Sequence, residues 1–372
     1  MGTKAGVRAT AFSALTAAVT VIPALTATPA MAAPTPVPTQ APAAARTVPV
    51  VDLGGLPGIA HNGASAINNH GDIVGSGYNG SYGSQGFRWS RGVLTALPAT
   101  ARAPFLINDA GQIAGSNPQR FSSTGFVIRA GGAVVDPGFV PADQNQHGLV
   151  VGTGPVTGGG THAMTWQDGH TTDLGAPAGY SSQAIAVSGS GQILGELDRL
   201  DHQGVTFARW TNGHWAPLPN SGGRAVDIND RGDVVGWSTT PAGITHAVLW
   251  QGSHLVDLDP QGSVNSQAVD IDDAGQIVGV TFAPASDEGH ILIWNGPHRT
   301  DLGTFGGSFT RPVAVNDQGD LVVATSTAAF RWYHGQTVRL GGTASPAAIN
   351  NRGQVVGSVL LPDGTSHAAL WN

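Results

Sequence analysis

The chain has 372 residues, of which 11% are charged and 54 are glycine, with no cysteine and a net charge of −7. That balance excludes a nucleic-acid partner, which needs a basic face. So much glycine with so few charges points to many turns and short strands.

At the N-terminus, Lys4 and Arg8 precede an apolar run over 9–27, and Ala30-Met31-Ala32 supplies a small-residue cleavage site. Residues 1–32 therefore read as a secretion signal, and Pro23 and Pro29 favour removal over retention as an anchor. Removal takes two cations and no acids, so the mature charge is −7 − 2 = −9. Residues 33–46, rich in Pro and Ala, read as a linker, and the folded domain as 47–372. No second long apolar run follows, so the expectation is a secreted, extracellular monomer with no membrane span after cleavage. The domain is large enough to hold a core without disulfides.

The domain is organised by a repeat whose clearest copy is VDINDRGDVVG at 226–236. Aligned on its last glycine, the copies end at Gly75, Gly115, Gly152, Gly195, Gly236, Gly279, Ala324 in place of Gly, and Gly357. Eight copies at a period near 40 indicate a propeller or solenoid. Each copy carries four apolar stretches. The first runs into a turn such as Asn229 to Gly232, the second reads Asp/Gln-Val-Val-Gly, and the third ends on Trp89, Trp166, Trp210, Trp250, Trp294, Trp332 or Trp371. Arg129 replaces the Trp in copy two, and the fourth stretch reads like Thr172-Asp173-Leu174. Two tight hairpins and two longer loops per period describe one propeller blade.

The eighth copy stops at Trp371-Asn372, after its third strand, whereas Val50 to Gly54 match a fourth strand with nothing before them. An open edge invites aggregation. The expected fold is thus all-β, a β-propeller of eight four-stranded blades closed by the N-terminal strand.

His246-Ala-Val-Leu-Trp250, Thr172-Asp173-Leu174-Gly175, Asp301 to Gly307 and Ile349 to Gly357 resemble the HAF family of bacterial extracellular repeats over residues 50–372. The resemblance implies a secreted or surface location and a repeat fold, and no agreed reaction. Gln144 before Asn145 and Ser188 at an Asn position depart from its pattern.

Residues that recur in register are assigned to the blade; those that break register on loops are binding candidates. His162, His246, His290 and His367, each four residues before a Trp, are structural by this rule, as are Asp52, Asp136, Asp173, Asp257 and Asp301. Asp143, Asp227 and Asp270 occur in copies that also carry the His, but strands one and three are not neighbours, which speaks against pairing. His170, His214, His254 and His298 read as exposed turn residues.

Chain direction puts the uniform turns on one face of the disc and the variable loops on the other. On the variable face sit Tyr78, Tyr82, Arg120, Phe121, Tyr180, Trp237 at the start of a loop, Phe282, Phe309 and Arg311. Aromatics beside polar groups stack on sugars or anchor proteins. The expectation is a non-catalytic binding module for a glycan or extracellular protein, with no cofactor, no metal and no catalytic residue. The alternative is a glycosidase- or lyase-like enzyme using the chain's two glutamates, Glu196 and Glu288, both placed in strand-two-to-three loops.

Overall fold

A computed structural model describes residues 46–78, 84–118, 123–129, 132–219, 222–260, 262, 264–282 and 289–372. The secretion signal, the linker to residue 45, and Tyr82, Arg120, Phe121 and Glu288 lie outside the described residues.

Among the described residues every regular element is a β-strand. In repeat five, Gly223–Ile228, Val234–Thr239, Thr245–Gln251 and His254–Asp257 pair antiparallel in chain order. Repeats two to six each form one such four-stranded sheet. The sheet of repeat seven carries a fifth strand, Thr47–Val48, running parallel to Gln336–Leu340. The strands of repeats eight and one fall in a single sheet, joined where Ser366 meets His61. Val50–Gly54 pairs antiparallel with Ser366–Trp371, placing Val50 opposite Trp371 and Asp52 opposite Ala369. The stretch 46–54 thus runs from the outer edge of one sheet to that of the next.

The turns follow from their residues. Asn229 Oδ1 accepts the amides of Arg231 and Asp233, and Gly232 takes φ 79°, a left-handed position that suits glycine. The second hairpin is a two-residue turn. Arg91-Gly92, Asp168-Gly169, Asn212-Gly213 and His334-Gly335 all have positive φ at both residues, which matches the strand twist.

The repeat glycine has a separate cause. Every first strand carries a register shift against its second strand, as between Ala225 and Asp227. The shift presses a first-strand carbonyl onto the opposite glycine, so that a Cβ on Gly236 would sit 1.9 Å from the Arg224 oxygen. This register corrects the alignment of copy seven. Val323, not Ala324, faces Pro312 ahead of the shift and holds the glycine position, fully buried beside Val315 and Phe330. The sequence slipped there because glycine, the marker, is missing.

Packing is between sheets. One cluster joins Ala186, Leu194 and Phe207 of repeat four to Ile228, Val234 and Trp250 of repeat five; another joins Ala348, Val356 and Leu370 of repeat eight to Ile67, Ile73 and Phe87 of repeat one. Each first strand lies beside the next repeat's first strand, and Thr343–Ile349 lies beside His61–Ile67. Exposure grows outward, to the wholly exposed fourth strand His170–Asp173. Sheets arrayed inner edge to inner edge, with faces packed on their neighbours, make a β-propeller.

The repeat tryptophans do not all play one part. Trp166, Trp250, Trp294 and Trp371 are buried, whereas Trp89, Trp210 and Trp332 are half-buried. In repeat four Trp215, from the fourth strand, packs onto Gly195 and tilts against Trp210. Arg129, which stands where copy two lacks its Trp, lies over the Trp166 ring. The anomalous Gln144 is buried and satisfied by Gln112, whose Nε2 donates to its Oε1 at 3.1 Å.

A belt of buried side-chain amides links the repeats on the tight-turn face. Asn68 donates to the Asn108 carbonyl at 3.0 Å, Asn108 to Asn145 at 3.3 Å, and Asn145 to Ser188 at 3.1 Å. Asn229 donates to Asp272 at 3.3 Å, Asn316 to Asn350 at 2.8 Å, and Asn350 to Asn68 at 2.9 Å, across 282 residues. Ser188 and Asp272 have no amide to donate. There the next repeat is reached by Ser190 Oγ, donating to the Asp230 carbonyl, and Gln276 Nε2, donating to that of Gly319.

Candidate ligand-binding face

The opposite face is irregular, and its side chains are positioned by the ends of second strands and the starts of first strands. Tyr78, Phe282 and Leu360 are the last residues of Ile73–Tyr78, Gln276–Phe282 and Val355–Leu360, each three residues past the repeat glycine or its equivalent register. They are 49%, 39% and 51% exposed. Phe309, in the connection between repeats six and seven, is 63% exposed and held at φ 52°. An aromatic residue in the left-handed region is strained by about 1–3 kcal/mol, and such outliers concentrate at functional sites. Repeats six, seven, eight and one are successive neighbours through their first strands, so Phe282, Phe309, Leu360 and Tyr78 are presented one after another along an arc of this face. Arg311 opens the first strand of repeat seven beside it and is exposed.

Two candidates sit elsewhere than their spacing suggested. Trp237 lies inside Val234–Thr239, opposite Arg224 and Ala247, and is half-buried. Glu196 lies inside Ile193–Arg199, opposite Gln183. Both directly follow the repeat glycine, and the second strand runs on past it, so neither is a loop residue. Burial pushes the Glu196 carboxyl up, Asp198 adds to the rise by repulsion, and Arg224 opposes it. Asp198, two residues along the strand, shares its face. The carboxylate next to Glu196 is therefore Asp198, while Glu288 falls outside the described residues.

The in-register histidines hold fourth-strand aspartates. Nδ1 of His162 lies 2.8 Å from Asp173, His246 2.8 Å from Asp257, His290 2.9 Å from Asp301, and His367 2.9 Å from Asp52. The first three pairs are 11 residues apart and the last is 315 apart, yet the clasp is the same. Asp257 raises the pKa of His246, against the opposing effect of burial. Asp143 and Asp227 serve another purpose: their carboxylates accept the backbone amides of Val187 and Ile271 in the following repeat.

Tyr180 is drawn into a cleft of about 550 Å³ between repeats three and four. One wall is the Thr157–Gly160 loop and His162 with Asp173; the other is Tyr180, Ser181 and Leu200. Leu200 is 60% exposed. Sequence reasoning passed over Leu200 and Leu360 because single exposed leucines carry no signal until their neighbours are known.

No family model and no curated protein matches the sequence. Among solved structures the chain is similar to the β-propeller domain of the Trilobed protease from Pyrococcus furiosus, with a TM-score of 0.55 and 13% identity, covering 77% of this chain and 100% of that one. It is also similar to a prolyl endopeptidase structure, with a TM-score of 0.54 and 12% identity, covering 84% of this chain and 53% of that one, about half its length. At these identities the likeness is one of fold, and the fold is a β-propeller.

Proposed function

We propose that the chain is a secreted, monomeric, non-catalytic propeller that recognises a glycan or an extracellular protein on its variable face. We further propose that it has eight four-stranded blades, the last completed by residues 50–54. The observation that supports the binding reading is the contrast between faces. On the tight-turn face the turn amides are engaged in the inter-repeat belt, whereas Tyr78, Phe282, Phe309, Leu360 and Leu200 are exposed on the other face without a covering partner among the described residues. Exposed apolar side chains rimmed by polar groups mark interaction surfaces. In favour of eight blades, the His367–Asp52 clasp repeats the three clasps made inside repeats three, five and six.

A second reading, a carbohydrate-active enzyme on the same face, is favoured by one observation. Glu196, with its raised proton affinity, stands two residues from Asp198, a spacing of roughly 7 Å along a strand. That falls within the about 5–9.5 Å used by glycosidase carboxylate pairs.

Retention of the protein on cell-wall material and soluble glycans, measured together with release of reducing ends, separates the readings. Retention without turnover is expected, and turnover that Glu196→Gln abolishes overturns the binding reading in favour of the enzyme.

A further inference from the structure

We infer that the cleft between repeats three and four is a subsite for a neutral mono- or disaccharide; the inference rests on the binding reading above and names its ligand.

The walls of the cleft are built before any ligand arrives. Leu200 sits at the tip of the hairpin joining Ile193–Arg199 to Val205–Thr211, and its amide donates to the Gly179 carbonyl at 2.9 Å. The tip is fixed by Arg199, whose Nε donates to Asp201 at 2.9 Å, and by His202 in the left-handed region at φ 59°. Tyr180 pairs in register with Arg199 and interacts with its guanidinium. An exposed leucine and a tyrosine are therefore held at the rim by polar bonds behind them.

The facing wall offers hydrogen-bonding groups. Gly158, Gly159 and Gly160 have φ of 100°, 93° and 93°, and a Cβ on any of them would meet nothing within 4 Å. Crowding does not explain three successive glycines. They bend the loop in a way only glycine tolerates, with the Gly159 amide donating to the Val156 carbonyl and the Gly160 carbonyl accepting the Val156 amide, and they leave the space in front of the loop open. His162 adds an imidazole whose Nδ1 is turned to Asp173. In the neutral ring the carboxylate draws the proton to Nδ1, which leaves Nε2 as an acceptor for a ligand hydroxyl.

The four clasps differ in how far they are covered: the His290 and His367 side chains are 35% and 30% exposed, and the clasp of repeat five is closed. In repeat five the Nε2 of His246 is covered by the Gly262 carbonyl at 3.3 Å, and its side chain is 7% exposed. The His162 side chain is 25% exposed and lines the cleft. The same device that closes repeat five stands open in repeat three.

These groups define the ligand chemistry. His162 and Asp173, the charged or titratable groups lining the cleft besides the Tyr180 phenol, are paired with each other, so an ionic ligand finds no counter-charge. Apolar surface from Val156, Met164 and Leu200 alternates with hydroxyls of Thr157, Thr161 and Ser181. A pyranose, with apolar C–H faces and a rim of hydroxyls, matches such a lining, and the volume lies in the usual range for small-ligand sites of about 300–1,000 Å³.

The test is calorimetric titration of the intact protein with a panel of neutral mono- and disaccharides built on glucose, galactose, mannose and fucose, with galacturonate alongside. Tyr180→Ala, Leu200→Ser and, as a control on the tight-turn face, Val93→Ser are compared after thermal melting shows them folded. Binding of a neutral sugar, weakened at least tenfold by Tyr180→Ala and by Leu200→Ser but unchanged in Val93→Ser, is expected. Binding that both cleft variants retain overturns the cleft while leaving the variable face as the binding surface. Preference for galacturonate overturns the neutral ligand. Failure of every neutral sugar at millimolar concentration overturns the subsite, whereas retention on cell-wall material still decides the broader reading by itself.

Discussion

Asn350 offers a direct measure of how well the last repeat is joined to the first. Its amide donates to the Asn68 carbonyl at 2.9 Å and to Gln354 Oε1 at 2.9 Å, while its Oδ1 accepts the amides of Arg352 and Gln354. The chain itself contains the informative substitution. At Ser188 the hydroxyl still accepts the Gln192 amide at 3.1 Å, but does not itself reach the next repeat, which Ser190 meets instead. Asn350→Ser should therefore keep its turn, lose the inter-repeat bond and leave a buried carbonyl short of a donor, costing about 1–3 kcal/mol. Asn350→Ala also strands two turn amides and should cost about 2 kcal/mol more. Asn229→Ser, which breaks the equivalent bond to Asp272 in the middle of the chain, is the reference. Urea unfolding followed by tryptophan fluorescence should give Asn350→Ser and Asn229→Ser equal costs within about 1 kcal/mol. If Asn229→Ser is destabilised while Asn350→Ser unfolds like the wild type, repeats eight and one are not joined as tightly as their neighbours, and the closed eight-blade ring is wrong.

Deleting residues 47–54 removes an outer strand from two sheets and the Asp52 clasp, so it should lower the thermal midpoint markedly, while deleting 33–45 should not; equal midpoints would refute this. Trp250→Ala, which empties a fully buried site and orphans the Pro219 carbonyl, should cost about 3–5 kcal/mol in the same unfolding assay. Phe309→Gly should leave the midpoint unchanged or raise it, because the left-handed backbone is relaxed, while ligand affinity falls five- to a hundredfold in a titration. For His246 the folded-state pKa lies above its ordinary 6.5, so its stabilising contribution is fully present below about pH 6.5 and is lost as pH rises through the higher folded value. The stability gap between wild type and His246→Gln should accordingly narrow on going from pH 6 to alkaline pH, and a gap that widens would reverse the assigned sign.

The four-strand repeat and its turn positions were legible because backbone geometry dictates residue type: Asn229 and Gly232 are each demanded by a turn conformation. The partnership of Val50–Gly54 with Ser366–Trp371 was legible for the same reason, as two incomplete copies of one pattern. The failures share a cause. Val323 was misplaced because the alignment rested on a glycine that a local register shift requires and that copy seven lacks. Trp237 and Glu196 were put in loops because the end of a strand depends on the length of its partner, which the repeat glycine does not mark. The His–Asp clasps were missed because Asp173 and His162 are brought together by a hairpin register, and Thr47–Val48 because two residues pairing in parallel leave no pattern to detect. The cleft at Tyr180 was invisible since its walls come from separate repeats.

The strap formed by residues 46–54 bears on how the molecule is made. Asp52 leaves the ribosome 315 residues before the histidine that clasps it. Through most of synthesis residues 46–54 have no native edge to lie on, because both strands that receive them, Gln336–Leu340 and Ser366–Trp371, come from the final quarter of the sequence. The contacts of residues 50–54 therefore cannot form until Ser366–Trp371 has been made. Completion of the fold is thereby deferred until the last of these strands has been synthesised.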